Sequence, residues 1–132
     1  MRRETREWVR KAEADIRAAE LLERGSEPLH DQSCFHCQQT AEKYLKALLV
    51  ELRLHVPRTH ILRDVLRLLL PHHPSLRSLG RVNFLSQFAV TTRYPGDNAG
   101  KRQAQAALRW AGKVREDVRQ LLGIRSRKRR KK

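Results

Sequence analysis

From Cys34 to Leu52 the apolar residues return every three or four positions: Cys34, Cys37, Ala41, Leu45, Leu48 and Leu52. That spacing marks one face of an α-helix, because each helical residue turns by about 100°. A strand does not keep it, since strand side chains change face at every residue. Gln38 and Glu42 fall on the shoulder of this stripe, not opposite it. A helix that only filled a core would carry Leu or Ala there. A polar group buried without a partner costs about 1–3 kcal/mol. The pattern therefore predicts a polar site built into a helical bundle.

The neighbouring segments repeat the helical period. A first helix is predicted from about Thr5 to Arg24, closed by Gly25, with Trp8, Ala12, Ile16, Ala19 and Leu22 inward. Asp15 lies within that arc, so it needs an Arg, Lys or His from another helix. The second helix is predicted from about His30 to Leu54, stopped by Pro57. Its far face carries His36, Gln39, Lys43, Lys46 and Val50, and Glu42 with Lys46 is an i,i+4 pair in the favourable order. A short third helix is predicted over His60–Leu70 with Thr59 as its N-cap. A fourth is predicted from Ser75, its cap, to about Val90, with Leu79, Val82, Leu85, Phe88 and Ala89 inward. Residues 91–100 contain Pro95-Gly96-Asp97-Asn98, dense turn chemistry. The last helix spans about Gly100–Leu122, and its small inward residues Ala104, Ala107 and Ala111 permit close approach. Short connections between amphipathic helices predict an all-α fold, an antiparallel up-and-down bundle of four to five helices.

Composition supports one domain with one core. The chain has 132 residues, 33% of them charged and 5% aromatic. No apolar run approaches the roughly 20 residues that span a bilayer. The charged N-terminus predicts no signal peptide, so the expected location is cytoplasmic. The net charge is +15. Residues 125–132 hold seven basic and no acidic side chains, which leaves residues 1–124 at +8. Residues 1–124 are read as the bundle. Residues 125–132 are read as a disordered basic tail that binds polyanions or merely aids solubility.

Cys34 and Cys37, with His36 between them, have the spacing of a redox or zinc motif. There is no second ligand pair, and both thiols face the helix seam, where Cys acts as a small hydrophobe. They read as packing, and no metal or cofactor is expected. His72 and His73 stand between Pro71 and Pro74 and read as a loop. The polar residues that remain form one set: Asp15, Gln38 and Glu42. Arg93, at the corner before the last helix, closes it. An Arg on a rigid corner suits phosphate, because its planar fork makes two parallel charge-assisted bonds. It suits equally an ion pair with Asp15 or Glu42 that fixes helix packing.

Trp8, Ala12, Asp15, Ala18-Ala19 and Leu22 are followed by Cys34-Phe35-His36, Gln38-Gln39, Glu42-Lys43 and Leu45-Lys46-Ala47-Leu48-Leu49. Then come Pro57, Thr59-His60, Leu62 and Arg93-Tyr94-Pro95-Gly96-Asp97. In order and spacing this series resembles the HEPN domain over roughly residues 5–122. The resemblance implies a helical bundle that dimerises, binds nucleotides or RNA, and is often the partner of a minimal nucleotidyltransferase in a toxin–antitoxin pair. It makes Arg93, Asp15, Gln38, Glu42, Asp97 and Asn98 the candidate nucleotide- or phosphate-binding residues. Family members that cleave RNA carry a His after the Arg, with four to six residues between the two. Here those positions are Asn98, Ala99 and Gly100, and none can exchange a proton near neutral pH. The leading expectation is therefore a non-catalytic nucleotide- or RNA-binding protein with no catalytic residue. One alternative is a metal-independent endoribonuclease using Arg93 with an unusual base. Another is an interaction module that binds RNA through its tail.

Overall fold

The computed structural model of the chain describes residues 1–90 and 95–125. Arg93 and most of the basic end, residues 126–132, lie outside the described residues. The described residues are all-α, with no strand: α1 Arg3–Arg24, α2 His30–Glu51, α3 Leu62–Leu69, a 3-10 segment Pro74–Ala89, and α4 Lys101–Leu121. The fold class expected from the sequence is the one found.

α1 and α2 run antiparallel. Thr5 at the start of α1 donates its hydroxyl to Glu51 at the end of α2, while Ser33 near the start of α2 donates to the carbonyl of Ala19. α4 returns beside both: Arg115 meets Glu13 of α1, and the Ala99 amide just before α4 meets Asp31 of α2 at 2.6 Å. α2 touches every other helix. It is therefore buried nearly all round, and Tyr44, Ala47 and Val50 are as enclosed as the Cys34–Leu48 seam. A central helix has no far face, so its polar residues must find partners on several sides.

α1 packs on a line slightly rotated from the expected stripe. Thr5, Val9, Ala12, Asp15 and Ala19 are buried, whereas Trp8 and Ile16 sit at the rim. Ala12 and Ala19 are fully buried, and such small side chains let α2 approach closely. Ala104, Ala107 and Ala111 of α4 are fully buried against the core in the same way.

The fourth element corrects the sequence expectation. It is not an α-helix but 3-10 winding, broken at Leu79, where φ is −94° and ψ is 15°. Leu76, Leu79, Val82, Leu85 and Phe88 are all buried. They recur every third residue, and three residues per turn put them on one face. Ser75 does not cap this element, which begins at Pro74.

Two other boundaries move. α2 ends at Glu51, not Leu54. Its end is closed by Arg53 at φ 59°, with the Arg53 amide bonded to the Val50 carbonyl and the Leu54 amide to the Leu49 carbonyl. α3 begins at Leu62, two residues after His60. Its first amides are taken by side chains of the 3-10 segment, Leu62 by Ser86 and Arg63 by Asn83, each at 2.9 Å. Thr59 instead accepts from the Ile61 amide and fixes the turn that precedes α3.

Candidate functional site

Three carboxylates inside the bundle organise its polar side chains, and each is claimed by cations. Asp15 of α1 receives His36 Nδ1 at 2.9 Å on one oxygen and Lys43 Nζ at 2.5 Å on the other. The partners expected for Asp15 are thus a His and a Lys of α2. Periodicity assigns His36 and Lys43 to the far face of α2. They point instead at α1, which covers that side.

Glu42 of α2 forms the second group. Its Oε1 accepts from Gln38 Nε2 at 2.7 Å and lies 2.8 Å from His60 Nδ1, while its Oε2 accepts from Lys46 at 3.0 Å. Gln38, Glu42 and Lys46 stand four residues apart, so they line one flank of the helix. After α2 the chain turns at Arg53 and runs back along it, which brings His60 level with Gln38 and Glu42. Burial by itself pushes the Glu42 carboxyl up. The hydrogen bonds from His60, Lys46 and Gln38 more than offset it and hold the group below its ordinary 4.5.

Glu13 forms the third. Arg115 of α4 grips it with Nε at 2.6 Å and a terminal nitrogen at 2.9 Å, and the Tyr44 hydroxyl also donates to it. Burial raises the Glu13 carboxyl, and the Arg115 and Tyr44 bonds bring it below the usual range. Burial and the adjacent Glu13 push the Tyr44 hydroxyl up, so it stays protonated as a donor. Beside this group an open cleft of about 550 Å³ lies between α1 and α4, lined by both signs of charge, including Arg17, Glu20, Arg115 and Glu116.

Of the residues singled out from the sequence, Gln38 and Glu42 are therefore brought together. Asp15 keeps its own partners. Asp97 and Asn98 are exposed in the turn before α4, and Arg93 lies outside the described residues. Cys34 and Cys37 are free and fully buried in the core. Burial pushes the Cys34 thiol up to about 12 and the Cys37 thiol higher still. Among the described residues no group of three His, Cys, Asp or Glu gathers to hold a metal. Nor is any described helix long and apolar enough to cross a membrane.

His60, expected inside the third helix, is the residue of this site that the structure moves. It precedes the helix, and its side chain is 64% exposed while the Glu42 carboxyl that it meets is 7% exposed. A carboxylate only accepts, so Nδ1 carries the proton and the Nε2 edge is left for solvent. The carboxylate thus fixes the tautomer and direction of an imidazole on the surface.

The family model described as HEPN domain matches residues 5–121. No curated protein and no solved structure matches the chain.

Proposed function

The chain belongs to the HEPN domain family, and from that membership we propose that it binds a nucleotide or RNA through phosphate groups. In this reading it acts as a non-catalytic homodimer and partners a minimal nucleotidyltransferase in a toxin–antitoxin-like pair. Family membership supports a nucleotide- or RNA-related function in general terms.

The observation that favours phosphate as the ligand is the internal settlement of the carboxylates. Asp15, Glu42 and Glu13 are each neutralised within the bundle by Lys43, Lys46 and Arg115. Those pairs cancel, so the net charge of +15 is left to the other charged side chains of the chain and favours a polyanion. Arg93 is the phosphate ligand in this proposal, with Asp97 and Asn98 beside it in the chain. Asp15, Gln38 and Glu42 have the role of ordering the site.

The test titrates a labelled oligoribonucleotide and ATP into the wild type, the Arg93→Ala variant and a form lacking residues 125–132. The proposal expects Arg93→Ala to weaken binding without lowering thermal stability much. Unchanged affinity in Arg93→Ala would remove that residue from the site. Loss of all affinity with the tail would mean that the bundle has no phosphate site of its own.

A further inference from the structure

We propose that the corner where residues 52–61 return to α2 is a phosphate-binding subsite, whose ligand is the His60 imidazolium held in place by buried Glu42. The inference rests on the nucleotide- or RNA-binding reading above and names a further residue for the phosphate.

The exposures argue first. Gln38 is fully buried and Glu42 nearly so, so neither reaches a ligand directly. What they present to solvent is His60. A histidine that merely glued the loop to α2 would be expected to bury its ring, and this one leaves most of it outside. Its direction is nevertheless fixed, since Nδ1 is committed to Glu42 and the His60 carbonyl faces the Gln38 amide at 3.5 Å.

The charge count argues second. Lys46 already balances Glu42, and both side chains are buried. A protonated His60 therefore adds a full positive charge that nothing in the cluster cancels. The charged residues nearest to it in the chain favour an anion. Arg58 in the connection and Arg63 of α3 are exposed, and Asp64 of α3 is half-buried. The residues that the 3-10 segment contributes at this corner, Asn83 and Ser86, carry no charge. An imidazolium Nε2–H donates a charge-assisted hydrogen bond to a phosphate oxygen, and the bound anion in turn favours the protonated ring. Binding therefore takes up a proton and tightens as the pH falls. The shared chemistry is a phosphate oxygen, from either an RNA phosphodiester or a nucleotide monoester.

The test measures binding of a short oligouridylate and of AMP at about pH 6 and about pH 8, the interval over which a histidine changes charge. The probes are titrated into wild type, His60→Gln and His60→Lys. The diester does not titrate there, so its pH dependence reports the protein. Wild-type affinity for at least one probe is expected to fall about tenfold between the two values, the weight of one charge-assisted bond. His60→Gln is expected to bind weakly at both, and His60→Lys to bind tightly at both. An effect confined to the oligonucleotide assigns the subsite to RNA backbone, and one confined to AMP assigns it to a nucleotide. If His60→Gln keeps the wild-type affinity and pH slope, the subsite is overturned while the binding reading stands. If wild type binds neither probe, both fall.

Discussion

Lys46 donates to Glu42 one turn back along α2 at 3.0 Å, with both side chains only 7% exposed. Removing one charge from so enclosed a pair leaves the other buried and uncompensated. Glu42→Leu should therefore destabilise the fold by about 3–5 kcal/mol. The double variant Glu42→Leu with Lys46→Met replaces both ions by apolar groups of similar size and should recover most of that loss. Urea denaturation of the two singles and the double closes the cycle. A double variant as unstable as the sum of the singles would show that the pair is not coupled.

Acid stability follows from the same carboxylates. Glu42 and Glu13 are both held below 4.5 in the folded state by their hydrogen bonds to His60, Lys46 and Arg115. A depressed carboxyl contributes stability that is complete above its unfolded value and is lost as the pH falls through the folded value. The melting temperature should thus be flat on this account above about pH 5 and decline below about pH 4.5. The decline should be shallower in the Glu42→Leu, Lys46→Met double variant. Melting curves between these values check it, and an unchanged acid slope in the double variant would exclude Glu42 as a contributor.

Much of the bundle is legible because α1, α2 and α4 carry their period in the sequence and pack along it. The every-third spacing from Leu76 to Phe88 is also there. An α-helical reading takes nearly the same residues inward, so burial alone does not separate the two windings. The site is legible only in part. Gln38 and Glu42 betray themselves as polar residues beside a buried stripe, a local signal. The contact of His60 with Glu42 gives no local signal, since it spans 18 positions, after a loop whose course depends on the left-handed turn at Arg53. His36 is misplaced by periodicity because a helix covered on every side has no solvent face to assign.

That turn can be improved. Arg53 is exposed and occupies the left-handed position at the C-terminus of α2, where the Cβ of an L-residue is crowded. The corresponding residue after α4, at φ 73°, is Gly123. Arg53→Gly should therefore stabilise the protein by up to about 1 kcal/mol, with some of the gain offset by the greater freedom of glycine in the unfolded chain. Urea midpoints at constant slope would show it. A loss of stability would mean that the Arg53 side chain contributes more than its backbone costs.

The paired cysteines supply the sharpest distinction between packing and chemistry. Cys34 and Cys37 lie three residues apart on α2 and are fully buried, and burial raises both thiols well above their ordinary 9.0. The thiolate is the nucleophile and the metal ligand, so raising the thiol suppresses both kinds of reactivity. A thiol reagent at about pH 8 should label neither residue in the folded protein at a rate above that of its opening, and should label both at once in denaturant. The native labelling rate should rise in the Glu42→Leu variant as opening becomes easier, although Glu42 is not among the groups that shift either thiol. Added zinc should leave the melting temperature unchanged, because a metal that binds only the folded state would raise it. Rapid native labelling together with a zinc-dependent rise in melting temperature would restore the pair as a metal or redox site.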